Sequence, residues 1–215
     1  MEAFLKKEEY NYIKKRLKDL NNALRTCNDY RTRDASRDYI QDKILSHLSH
    51  LLLEQKKLLD ITALKDSHDI DVFLNQLQPY IFTNPPITAS EISKLFKKEK
   101  KLKLPSSEVL ERPCVYLGWF DLATKKLFIV HRYHQQLLGM ACRLTEAKNK
   151  QTNVCALCHH MGPKSEVAFV SPLCKGNKNY RSIGFFACLD SAACNERITS
   201  TEKLEGLLKE VNNIK

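Results

Sequence analysis

The sequence predicts an α+β protein, a four-helix bundle over residues 1–105 followed by an α/β domain over 106–215 that holds a finger built on four cysteines. Three observations carry that expectation. Apolar residues recur with helical period through the first hundred residues, short aromatic and β-branched runs take over after Pro105, and four of the eight cysteines fall into two pairs in the last third of the chain.

In the first helix Tyr10, Ile13, Leu17, Leu20 and Leu24 are spaced alternately three and four apart, which puts them on one face. The polar "CNDYRTRD" reads as a turn. Ile40, Ile44, Leu48, Leu51 and Leu52 begin a second pattern that extends to Leu58 and Leu59, the longest helix expected. Ile70, Phe73, Leu74 and Leu77 mark a third. It must stop near "QPYIFTNPPI", because proline removes a backbone donor and constrains the residue before it. The fourth helix has a capping box, Thr88 three residues ahead of Glu91, then a stripe of Ile92, Leu95, Phe96 and Leu102 that Pro105 closes. Four amphipathic helices with short links bury their faces against one another as a bundle.

"PSSEVLERP" (105–113) reads as a linker. Beyond it "CVYLGWFD", "KKLFIVHRY" and "QLLGMACRL", separated by the turn-like "LATK" and the polar "HQQ", predict an antiparallel meander with the single tryptophan, Trp119, in its core. "EVAFVS" (166–171) and "IGFFA" (183–187) add two short strands. A last helix, opened by a second capping box of Thr199 with Glu202, carries Leu204, Leu207, Leu208, Val211 and Ile214.

Cys155 and Cys158 form a C-x2-C pair, which suits the tight turn at a hairpin tip. Cys188 and Cys194 form a C-x5-C pair just ahead of the last helix. Four thiolates give Zn²⁺ a closed tetrahedral site of the structural kind. A knuckle followed by strands and a helix start makes this a treble-clef-like zinc finger with four cysteine ligands and one structural Zn²⁺. A set of buried or reactive thiols is the competing reading. A thioredoxin-like pair needs a βαβ context that the residues after Cys158 lack. Cys174 lies in a polar loop with no paired neighbour, and His159 and His160 follow a cysteine set that is already complete. Cys27, Cys114 and Cys142 fall in apolar patterns and read as core thiols.

A chain of 215 residues with 43% hydrophobic content can build its cores without disulfides. Its first residues, "MEAFLKKEEYNYIKKRLKDL", lack the apolar segment and cleavage site of a secretory signal. Its longest apolar runs, such as "LFIV", fall far short of the roughly 18 residues of a spanning helix. The expectation is a soluble cytoplasmic protein, with no membrane contact, whose thiols stay reduced. The net charge of +10 implies acidic partners. It is unevenly spread: "KLFKKEKKLK" (94–103) holds six lysines against one glutamate, whereas residues 151–215 hold eight Lys/Arg against six Asp/Glu. A solvated helix face is the plain reading of the lysine run, with an acidic protein surface or RNA as alternatives. Six glycines leave little for a phosphate-binding loop. His131 and His134 of "HRYH" have no orienting carboxylate or open metal position in view. The expectation is a protein that is not an enzyme and has no small-molecule substrate.

Taken together these features resemble the FusB-type fusidic acid resistance proteins, which bind elongation factor G. The resemblance rests on "LFKKEKKLKLP" (95–105), "YLGWFDLATKKLFIV" (116–130), "VCALC" (154–158) and "CLDSAAC" (188–194). They follow the family's order of basic helix, Gly-Trp strand, C-x2-C and C-x5-C. The C-x5-C pair enclosing Asp190 and Ser191 is the most specific element, and the helical half matches only in pattern. The resemblance implies a two-domain cytoplasmic monomer whose zinc-binding domain grips elongation factor G. It implies further that the protein promotes release of the factor from the ribosome when fusidic acid would hold it there. That is target protection, not drug modification, with the ribosome touched indirectly or transiently. Such an effect requires binding one state of the factor better than another. The runner-up is a zinc-containing RNA- or ribosome-binding protein that acts without elongation factor G, against which the modest charge of the finger argues.

The family's contact surface includes an aromatic residue before the first cysteine, and a lysine and a tyrosine before the third. By position these fall on Val154, Ile183 and Phe186, an aliphatic, an isoleucine and a ring without its hydroxyl. Arg181 restores a charge and Phe185 an aromatic, so the expected partner-binding residues are Val154, Arg181, Ile183, Phe185 and Phe186. Neighbours in a strand face opposite sides, so one of Phe185 and Phe186 is expected in the core and the other on the partner surface.

Overall fold

The computed structural model describes residues 2–82, 87–111, 113–145, 152–172 and 183–214, and the chain divides into two compact units, Met1–Phe82 and Thr83–Lys215.

The first unit is helical: α1 (Lys7–Thr26), α2 (Tyr30–His47), α3 (Leu53–Lys57) and α4 (Ser67–Leu77), closed by a 3-10 turn at Gln78–Tyr80. The predicted stripe of α1, Tyr10 through Leu24, is buried throughout and shares one core with Ile40, Ile44, Ile70, Phe73 and Leu77. α2 departs from expectation at both ends. Asp29 accepts the Thr32 N–H at 2.8 Å and starts the helix at Tyr30, so most of the expected turn is helical. At the far end Leu48 leaves helical geometry, and the chain turns before the short α3. Leucines at 48, 51, 52, 53, 58 and 59 on one continuous helix would spread over more than one face. The break buries Leu48, Leu51 and Leu59 while Leu52 and Leu53 stay exposed.

The second unit begins with α5 (Ala89–Leu95) and α6 (Ser107–Glu111). The Thr88 capping box forms as predicted, with Thr88 N–H on Glu91 Oε2 at 2.8 Å and Glu91 N–H on Thr88 Oγ1 at 3.2 Å. This helix is not the fourth member of a bundle. Ile92 and Phe96 pack with Leu117, Phe128, Val130 and Ala141 of the sheet, so the division falls at 82/83 and not at 105/106. It is also shorter, ending at Leu95 with Phe96 as its cap. Continuing it would stack Lys94, Lys97, Lys98 and Lys101 three and four residues apart, where like charges repel.

The five predicted strands are present as β1 (Leu117–Asp121), β2 (Lys126–Tyr133), β3 (Gln136–Leu144), β6 (Val167–Pro172) and β7 (Phe185–Cys188). They form one antiparallel sheet in the order β1-β2-β3-β6-β7. Two short strands, β4 (Asn153–Val154) and β5 (Met161–Gly162), make a separate hairpin. β2, interior to the sheet between β1 and β3, is buried on both faces along most of its length, its side chains alternating as a strand's must. Leu127 and Ile129 join Met140, Cys142, Val167, Leu204 and Leu208, while Phe128 and Val130 face α5. Trp119 sits at the edge of the second cluster, half-buried and stacked on Phe128 at 4.9 Å.

The cysteine-bearing α7 (Ser191–Asn195) and the terminal α8 (Glu202–Asn212) complete the unit. The Thr199–Glu202 capping box does not form. The helix starts at Glu202 behind Thr201, whose side chain makes no cap bond. Its buried face, Leu204, Leu207, Leu208 and Val211, is the predicted one. Among the described residues no helix is long and apolar enough to cross a membrane.

Candidate metal centre

The first cysteine pair occupies the tip of the β4–β5 hairpin, in which Val154 pairs with Met161. Cys155 donates its N–H to the His160 carbonyl at 2.9 Å and accepts the His159 N–H on its own carbonyl at 2.9 Å, a tight turn completed by His159 at φ 59°. Two bonds tie this knuckle to the sheet. Asn153 Nδ2 donates to the Val167 carbonyl at 2.9 Å, and the Ala156 N–H to the Phe186 carbonyl at 2.8 Å.

The second pair spans a strand-to-helix junction. Cys188 ends β7, Asp190 caps α7 by accepting the Ala193 N–H at 3.0 Å, and Cys194 lies inside that helix. Asn195 locks the helix to the sheet. Its Oδ1 accepts from Val115 and Tyr116 N–H at 2.7 and 3.0 Å, and its Nδ2 donates to the Tyr116 and Ser191 carbonyls at 2.9 and 2.8 Å. Close approach of α7 to β1 needs a glycine at 118, where a Cβ would lie 2.3 Å from Ser191 Oγ.

These two supports bring the four sulfurs within 4.8 Å of one another. The short contacts cross between the pairs, Cys158 to Cys188 at 3.6 Å and Cys155 to Cys194 at 4.0 Å. A tetrahedron with Zn–S bonds of about 2.3 Å has sulfur–sulfur edges of about 3.8 Å, so the donor set fits one zinc ion. Cys155, Cys188 and Cys194 are buried and Cys158 is half-buried, leaving a closed site of structural type. The thiols perturb one another strongly. Contact with Cys155 and Cys188 draws Cys158 well below the ordinary thiol range, while contact with Cys155 and Cys158 pushes Cys188 and Cys194 well above it. A divalent ion lets all four ionise together, and metal binding of this kind releases protons.

The sequence reading missed Arg197, whose Nη2 donates to Cys188 Sγ at 3.6 Å, and Asn195. Both follow Cys194 within three residues, so polar residues just past the last ligand of an expected helix start were the available signal. It also missed Tyr116, whose phenol is pushed well above its usual value by burial and then by Cys194. His131 proves to be a structural link. Its Nδ1 meets the Val115 carbonyl at 2.8 Å and its Nε2 lies 3.6 Å from Glu205, while His134 sits in the β2–β3 turn. His160 pairs with Glu166 at 3.0 Å and His159 is exposed, so both histidines have places apart from the cysteine cluster. Cys142 is a core thiol, pushed up to about 12 by burial, and Cys27 and Cys114 are half-buried. Among the described residues the four cysteines are the group able to hold a metal.

Of the expected partner residues, Val154 is 45% exposed beside Met161, which is 65% exposed. Ile183 and Phe186 are half-buried, and Phe186 meets the Phe169 ring edge-on at 5.3 Å. Phe185 is a correction: at 6% exposed it belongs to the sheet core, on the face opposite Phe186, and offers no surface. Arg181 and Cys174 lie outside the described residues.

Comparison with known proteins places these features. Residues 4–85 match the family described as elongation factor G-binding protein, N-terminal, and residues 89–213 match the FBP C-terminal treble-clef zinc-finger. No curated protein matches the chain. Among solved structures, the fusidic acid resistance protein FusC is similar at a TM-score of 0.77 and 22% identity over 97% of each chain, a likeness of fold. The chain thus carries a treble-clef zinc finger with a four-cysteine site, and it belongs to the elongation factor G-binding protein family.

Proposed function

We propose that this protein binds elongation factor G through its zinc-binding unit and promotes release of the factor from the ribosome, protecting translation from fusidic acid. It acts in the cytoplasm, as a monomer, by binding and not by catalysis, with the ribosome met only transiently. Cys155, Cys158, Cys188 and Cys194 hold one Zn²⁺ whose role is shape.

One observation carries this reading. The zinc knuckle presents Val154 and Met161 as a cross-strand pair of exposed apolar side chains, and the same knuckle is bonded to the Phe186 backbone. Methionine and aromatic residues are enriched in the cores of protein interfaces, and an exposed Met161 with Phe186 close by supplies both kinds of side chain. Val154, Ile183 and Phe186 are the proposed contacts, with Phe185 fixing the strand from beneath. Arg181 joins them on sequence grounds. The membership of both units in the family supports the choice of partner.

Release is tested by sedimenting ribosomes that hold elongation factor G, GDP and fusidic acid. Zinc-loaded protein should move the factor from pellet to supernatant, and Phe186→Ala should need at least ~10-fold more protein to do so. Factor that stays on the ribosomes at saturating protein refutes the release mechanism.

A further inference from the structure

Beyond Lys94, in the last turn of α5, the lysine run at 94–103 is not a helix face. After α5 ends, Phe96 to Lys103 follow an irregular path that is held down at three points. The Phe96 ring packs against Phe128 at 5.1 Å and Trp119 at 6.0 Å. Glu99 accepts Lys126 Nζ at 2.6 Å, with both side chains largely buried. The Lys103 carbonyl accepts the Trp119 indole N–H at 3.0 Å.

The consequence is electrostatic. The run's one carboxylate, Glu99, turns inward to Lys126, while Lys94, Lys97, Lys98, Lys100, Lys101 and Lys103 all remain exposed. Lys94 has Glu91 nearby and Lys103 has Asp121. Among the described residues no ion pair engages Lys97, Lys98, Lys100 or Lys101. Arg143, exposed and directly across the ladder from Lys126, extends the positive surface onto the sheet.

We propose that this clamped lysine segment is a docking surface for the phosphate backbone of structured RNA. The chemistry favours RNA over an acidic protein. Cores of protein interfaces are enriched in arginine and aromatic anchors and depleted of lysine, and this segment has no arginine and buries its only ring. Flexible lysine point charges on a fixed backbone suit phosphates, which position a protein without reading sequence. The surface would supply weak, salt-sensitive affinity, separate from the grip of the zinc knuckle on elongation factor G.

The test is fluorescence anisotropy of a labelled mixed-sequence RNA hairpin with the zinc-loaded full chain, over salt from about 50 to about 200 mM. The quadruple variant Lys97→Gln, Lys98→Gln, Lys100→Gln, Lys101→Gln should bind at least ~10-fold more weakly at the low end, and its log affinity should fall with log salt by a slope shallower by about 3. Its zinc content and its affinity for elongation factor G should match the parent. A control that neutralises four exposed lysines of the first unit, Lys15, Lys18, Lys57 and Lys65, should lose much less. Equal losses in the two variants would reduce the effect to net charge and overturn the site. So would an unchanged salt slope, or loss of elongation factor G binding with RNA binding intact, which would give the surface to an acidic protein.

Discussion

Arg197 Nη2 donates to Cys188 Sγ across 3.6 Å, setting a fixed positive charge against a centre whose four thiolates and one Zn²⁺ carry about −2. Outer-shell partners of this kind tune how firmly a metal is held. Arg197→Gln should leave one zinc per chain but speed its transfer to a chromogenic chelator about 10-fold or more, and Arg197→Lys should restore part of the difference. Equal transfer rates for Gln and parent would remove the electrostatic role.

Cys188→Ser should release zinc and destabilise the second unit. The first unit has its own closed core from Tyr10 to Leu77, so its helical circular dichroism should persist in the variant. Metal analysis alongside thermal melts checks this, and a full complement of zinc in the variant would contradict the ligand assignment.

Asn195→Ala leaves the buried Val115 and Tyr116 N–H groups without their acceptor. Each orphaned donor costs about 1–3 kcal/mol, so urea denaturation of the zinc-loaded protein should show a loss of roughly 2–6 kcal/mol in the second unit. A midpoint equal to the parent's would mean that α7 is held by its apolar contacts alone.

Alkaline pH gives an independent check of the sheet core. Burial pushes the Cys142 thiol up to about 12 from an ordinary 9.0. The unfolded chain releases this proton near pH 9 while the folded one keeps it, so the stability is intact below pH 9 and declines as pH rises toward 12. The loss from this group is at most about 4 kcal/mol. Tyr116, raised by burial, acts in the same direction. Cys142→Ala should flatten the decline measured by urea midpoints from pH 8 upward, and an identical slope in the variant would show that Cys142 ionises freely.

Much of this was legible in the sequence because the relevant signals are local. The stripe of α1, the five strands, the Thr88 box and the cysteine spacings each depend on residues a few positions apart. What escaped depends on what lies across the fold. Nothing near Leu48 says that helix α2 must break to bury Leu51 and Leu59, and the stripe of Ile92 and Phe96 fits a sheet as well as a bundle until Phe128 and Leu117 are seen opposite it. Thr199 and Glu202 have the right spacing for a cap, but the chain turns later, at Thr201. At the metal centre the four ligands could be read from spacing, whereas Asn195 and Arg197 acquire their roles only when α7 meets β1 and Cys188.

The central claim is that the zinc-binding unit recognises elongation factor G. Calorimetric titration of the zinc-loaded protein into purified elongation factor G tests it most directly. The account predicts one-to-one binding that weakens at least ~10-fold in Phe186→Ala without loss of zinc. No heat and no complex with the factor, from a protein shown to be folded and zinc-loaded, would contradict it.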